Sequence, residues 1–244
     1  MLKNENLKNI FKIFLLFCLI FWSGLLFAQD IGRRQFIDTS AVKYLSAAGN
    51  QAVIYNGEEQ SLYLRSSNHP YQKDEQYAKA RLSYNQVIYP EVLLRLDLCR
   101  DELVILSPDQ RNIVMFSENV DFVELHDRMF IYLRRDSLPG CPSSGFYNLL
   151  HSANCKILKK IIATQMEKID VNGINRYYDF STNFYLYKDG VYYIIRNKRV
   201  LLKVLHSHKK ELKHFISTHR LNFRRNAEEF LIRTVDEYEK LSEI

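Results

Sequence analysis

The chain has 244 residues, with 34 Lys and Arg against 28 Asp and Glu, a formal charge of +6. That balance is too mild to indicate nucleic acid, and the length suffices for a core that needs no covalent staples. Four cysteines and eight thinly spread glycines exclude a disulfide-dense scaffold and the glycine-rich phosphate loops.

Lys3, Lys8 and Lys12 precede the apolar run Ile13 to Ala28, IFLLFCLIFWSGLLFA, which ends on a small residue before Gln29 and Asp30. This is the pattern of a secretory signal peptide, residues 1–28, with cleavage expected after Ala28. At about 1.5 Å per residue the run is marginal for a core about 30 Å thick, so an uncleaved anchor is the alternative. Cys18 lies inside the run and not at its end, which argues against lipoprotein processing. Cleavage would leave 31 basic and 27 acidic residues, a charge of +4, and no transmembrane segment.

Residues 29–136 and 146–196 read as strands, with a loop at 137–145 between them. A short helix fits Ser40–Ala48. AVIY (52–55) and SLYLR (61–65) frame Asn56-Gly57, a two-residue hairpin signal. RLSYNQVIY turns at Tyr84-Asn85-Gln86. The clearest strand is Glu91–Cys99, with Val92, Leu94, Leu96 and Leu98 on one face. Arg100-Asp101-Glu102 turns it back into LVIL. Further strands fit NIVMF, DFVEL and MFIYLRR. Two hairpins follow, FYNLL/CKILKKI and FYLYKDGVYYII, the second with Asp189-Gly190 as a type I′ turn. The pattern predicts an antiparallel meander, either a twisted sheet or a partial barrel.

From Asn197 the period becomes helical. RVLLKVLHS and HKKELKHFISTH present apolar faces, with Ser207 as a candidate N-cap. A last helix starts at Asn226, with Glu229 three residues on, and buries Leu231, Val235, Tyr238 and Leu241. The fold class is therefore α+β, a β meander followed by two or three helices over 197–244. The 137–145 loop is a candidate boundary between two subdomains.

The mature chain would hold three cysteines. Cys141 and Cys155 flank a hairpin and are the pair an oxidising compartment would join; three free thiols are the alternative. His206, His208, His214 and His219 lack the four-residue spacing that aims two imidazoles the same way on a helix, and they assign no metal. Asp97, Asp101 and Glu102 read either as an acid–base group or as a charged strand edge. Cys141 with His151, and Ser143 or Ser144 with His126 or His151, are equally admissible nucleophile pairs, and spacing selects none. No hydrolase elbow, zinc-protease or dinucleotide motif occurs. No cofactor is implied.

The charge pattern says more. Arg196 to Arg225 carries ten Lys/Arg against Glu211 alone. Lys209, Lys210, Lys213, Arg220, Arg224 and Arg225 are candidate contacts to an anionic surface. The competing reading is two solvated helices partly neutralised by the acids that follow Asn226. Tyr177 and Tyr178, and above all Tyr185, Tyr187, Tyr192 and Tyr193, are candidate interface aromatics; sheet packing is the alternative.

The succession YNG (55–57), NHPYQ (68–72), LSYN, LRLDLCRDELVIL (94–106) and NVDF (119–122), with the tail from NFYLYKDG to EYEKL, resembles a group of signal-peptide-bearing envelope or periplasmic proteins of Bacteroidota-type bacteria. The resemblance implies export to the periplasm or outer membrane and no reaction, so it assigns no catalytic residue. The expected function is a non-catalytic binding or assembly module of the cell envelope, with an envelope protein or anionic surface as partner and no nucleic acid. A divergent hydrolase of envelope polymers is the alternative.

Overall fold

A computed structural model describes residues 40–136, 138–171 and 173–242. The expected signal segment lies outside them. The fold is α+β, an open antiparallel sheet followed by helices. Helix α1 covers residues 40–48. Eleven strands follow: β1 (Gly57–Glu59), β2 (Ala78–Tyr84), β3 (Val87–Asp97), β4 (Glu102–Leu106), β5 (Asn112–Met115), β6 (Val120–Leu125), β7 (Arg128–Leu133), β8 (Gly145–Ser152), β9 (Lys156–Asp170), β10 (Gly173–Lys188) and β11 (Val191–Ile194). Helices α2 (Lys198–Val204), α3 (Lys209–Thr218) and α4 (Ala227–Ser242) close the chain.

The spatial order is β1-β5-β4-β3-β2-β6-β7-β8-β9-β10-β11. Hairpin neighbours account for most of it. The exceptions are β1, which pairs with β5, and β6, which returns to the free side of β2. Local chemistry sets the tight turns. Asn85 and Gln86 both adopt positive φ, as do Asp189 and Gly190, which matches the right-handed twist of the flanking strands. On β3 the alternation holds as read, with Val92, Leu94 and Leu96 buried and Leu93 exposed.

Asn56-Gly57 does not make a hairpin. Residues Val53–Tyr55 form a 3-10 turn and Gly57 opens β1. A Cβ at Gly57 would lie 2.0 Å from the Val114 carbonyl oxygen, so this glycine permits close strand approach rather than a turn. SLYLR is not a strand either. It presents Leu62 and Leu64 to solvent and turns Tyr63 inward, where its hydroxyl donates to Asp97 at 2.7 Å.

The two late hairpins merge into one element. β9 and β10 pair continuously from Lys156↔Tyr187 to Asp170↔Gly173. Most residues of the distal half are exposed and polar, so no apolar alternation marks it in the sequence. It is anchored from the side instead: Ser67 N–H donates to Arg176 O, and the Asn68 amide bonds both the N–H and the C=O of Tyr178. Asn68 thus imitates one residue of a neighbouring strand.

Two buried clusters lie along the sheet. One joins β2–β7 with Ile54 and Phe146 and reaches Ala163 and Tyr178 of the long hairpin. The other packs Ile157 and Leu186 beneath Leu201, Leu205, Leu212, Ile216, Phe230 and Val235 of the helices. The sheet runs unbroken past the 137–145 loop. At that crossing Lys160, 6% exposed, bonds both Asp101 and the Phe146 carbonyl.

Candidate functional site: the basic helical face

Helix α2 begins where the Asn197 side chain accepts the Val200 N–H at 3.1 Å, an N-cap. It buries Leu201 and Leu202. A 3-10 turn, His206–His208, leads into α3. Ser207 sits inside that turn and donates to the Tyr238 hydroxyl at 3.3 Å. The α3 cap position is therefore His208, which makes no side-chain cap bond. Helix α3 buries Leu212 and Ile216 and leaves Lys209, Lys210 and Lys213 exposed. Helix α4 starts as read: Asn226 Oδ1 accepts the Glu229 N–H at 3.1 Å, and the Glu229 carboxylate accepts the Asn226 side-chain N–H at 3.2 Å. Leu231, Val235 and Tyr238 are buried, and Leu241 packs against them.

The acids of α4 do not neutralise the basic segment. Glu228 pairs with Arg128 of β7 and Lys159 of β9. Glu229 pairs with Arg233 on its own helix. Asp236 and Glu239 both meet His151 of β8. Burial pushes the Glu228 carboxyl up, but Lys159 and Arg128 together outweigh it and hold it below its ordinary value. Helix periodicity forces this choice, because the face that docks on the sheet carries the acids with it.

All ten Lys/Arg between Arg196 and Arg225 are exposed, and none makes an ion pair among the described residues. Ten cations against Glu211 leave this segment with a net charge of +9. Arg196, Lys198, Arg199 and Arg224 line one cleft of about 910 Å³ with Phe223, and no acidic side chain lines it. Arg224 is the only one of the six cations singled out from the sequence that reaches this cleft. Arg196, Lys198 and Arg199 were legible only as part of the charge run, since α2 had to pack against the α3–α4 connection to bring them to Arg224. Arg220 and Arg225 flank the same connection.

The tyrosines of the β10–β11 hairpin are half-buried. Tyr187 and Tyr192 meet at a tilt across the ladder, ring centroids 4.7 Å apart, and Tyr185 meets Tyr147 edge-on at 5.8 Å. Tyr193 packs against the helical core. Tyr177 is half-buried and Tyr178 fully buried. The exposed chemistry of this end is cationic, not aromatic.

Cys141 and Cys155 form no disulfide; both are free thiols, as is Cys99. Burial raises the Cys141 thiol. Burial, with Glu239 beside it, pushes Cys155 up to about 11. Both are protonated near neutral pH and poor nucleophiles. Both ring nitrogens of His151 face Asp236 and Glu239 instead. Ser144 Oγ accepts the Arg135 N–H, Ser143 contacts Tyr147, and neither bonds an imidazole among the described residues.

Asp97 is not on a strand edge. It is fully buried and accepts four hydrogen bonds: from Cys99 N–H and Arg100 N–H on one oxygen, and from Gln60 and Tyr63 on the other. Asp101 is committed to Lys160. The two carboxylates hold the β3–β4 turn and are not presented to a substrate.

No family model, curated protein or solved structure matches the chain. Among the described residues no helix is long and apolar enough to cross a membrane.

Proposed function

We propose that the protein is an exported, non-catalytic binding or assembly module of the cell envelope that engages an anionic surface through residues 196–225. One observation carries this reading. Ten exposed cations stand without ion pairs among the described residues, while Glu228, Glu229, Asp236 and Glu239, which follow them in sequence, are committed to the sheet and to α4 itself. Self-neutralisation would have made the segment an ordinary solvated surface; its failure leaves a persistent positive field. Export rests on the basic-then-apolar N-terminus and on the resemblance of the chain to envelope proteins.

Each cation near an anionic bilayer contributes about 1 kcal/mol. Losing three would therefore weaken binding by about two orders of magnitude, and reversing them by more. The test is sedimentation of the mature chain with vesicles containing phosphatidylglycerol or lipopolysaccharide, against neutral phosphatidylcholine vesicles. Wild type should pellet with the anionic vesicles at low ionic strength and release as salt screens the charges. The triple variant Lys198→Glu, Arg199→Glu, Arg224→Glu should stay in solution. Equal binding to neutral vesicles, or an unchanged triple variant, would sink the proposal.

A further inference from the structure

The C-terminal helix meets the sheet at a second cluster whose charge is not balanced. His151 lies near the end of β8, and Asp236 and Glu239 are three apart on α4, which puts them on one face. His151 Nδ1 is 3.0 Å from Asp236 Oδ1, and Nε2 is 2.9 Å from Glu239 Oε2. Glu239 is 8% exposed, and its other oxygen accepts the Cys155 N–H at 2.6 Å. No Lys or Arg pairs with Asp236 or Glu239 among the described residues.

A neutral imidazole has one N–H and one lone pair. It can donate to one of these carboxylates but must then set its lone pair against the other. Two carboxylates, one of them buried, and a facing lone pair form a pocket of negative potential that a cation would relieve. We infer that His151, Asp236 and Glu239 form a binding site for a divalent transition-metal ion, with zinc the best match.

The donor set supports zinc. Imidazole nitrogen and carboxylate oxygens suit it, with bonds of about 2.0–2.2 Å. The three candidate donor atoms lie within 4.8 Å of one another. Two ligands on one zinc ion lie at most about 4.2 Å apart, and the Asp236 side chain, 41% exposed, is free to rotate through the difference. The ion would fasten α4, and the helical unit packed on it, to β8. Residues 88 positions apart meet here, so no local spacing marks the site; the four histidines of the basic segment drew attention away from it.

The test uses the mature chain, freed of metal by chelation and then titrated with zinc chloride. One zinc should remain per chain after gel filtration, and zinc should raise the unfolding temperature. His151→Gln should abolish both effects. Asp236→Asn, at a half-exposed position that does not endanger folding, should weaken binding at least tenfold. The pair His206→Ala, His208→Ala should leave both unchanged. Circular dichroism of the metal-free variants keeps misfolding separate from loss of a ligand. Absence of retained zinc, or zinc that persists in His151→Gln, overturns the assignment. So does a wild type whose unfolding temperature ignores zinc.

Discussion

The Asp101–Lys160 pair offers the sharpest test of how the two halves of the sheet are joined. Lys160 is almost wholly buried on β9. Its ammonium donates to Asp101 and to the Phe146 carbonyl and lies 4.7 Å from the Tyr147 ring centroid. Burial lowers its pKa even though Asp101 opposes the shift. Asp101→Asn is the informative change. Asp101 has φ +60°, a conformation asparagine adopts readily, and the amide oxygen can still accept the Phe146 N–H, now 3.2 Å away. Only the charge is removed, which leaves an unpaired ammonium in the interior. Keeping it charged costs about 3–5 kcal/mol. The alternative is to fold with Lys160 neutral. From an unfolded pKa near 10.4 that costs about 1.4 kcal/mol per pH unit, so roughly 4.6 kcal/mol at pH 7 and roughly 2 kcal/mol at pH 9. The sign follows from linkage: the unfolded state of the variant binds a proton that the folded state rejects, so its stability rises with pH through that window. Lys160→Met together with Asp101→Asn removes both charges and should recover most of the loss. Urea unfolding followed by circular dichroism at pH 7 and pH 9 measures wild type, the single and the double variant. A single variant that loses under about 1 kcal/mol with no pH dependence would mean that water screens the pair, and the argument for it as a joint would fail.

Gly145→Ala should destabilise by more than about 2 kcal/mol, because φ is +147° and the new Cβ would fall 1.8 Å from Asp101 Oδ2; a thermal melt shows it. Asp97→Ala orphans the Tyr63 hydroxyl, the Gln60 amide and two backbone N–H groups, with an expected loss of about 3–5 kcal/mol. Asp97→Asn should lose less, since an amide oxygen still accepts; equal losses would contradict the four-acceptor account. Glu228 has a folded pKa below its ordinary value, so its contribution is complete above the unfolded pKa of about 4.3 and disappears as pH falls through the folded value. Glu228→Gln should therefore flatten the acid limb of the stability curve, as read by tryptophan-independent circular dichroism.

Much of the fold is legible in the sequence because its signals are local. The β2–β3 and β10–β11 turns follow from residues that tolerate positive φ between alternating strands, and α4 follows from a cap and an apolar stripe. The misreadings share a cause. Asn56-Gly57 carries a turn signal, yet β5 approaches so closely at Val114 that only glycine fits. The distal β9–β10 ladder has no apolar period because Asn68 and Ser67, more than a hundred residues earlier, complete its hydrogen bonds.

The candidate site divides in the same way. Ten cations within thirty residues are visible in the chain itself, and nothing in a fold can remove them. Whether they act is a tertiary matter. The acids after Asn226 are near in sequence and could neutralise part of that charge. Helix α4 docks through the face that carries Glu228, Asp236 and Glu239, and Arg128, Lys159 and His151 of the sheet bind them instead. Composition therefore determines the charge, and packing determines which charges are left without partners.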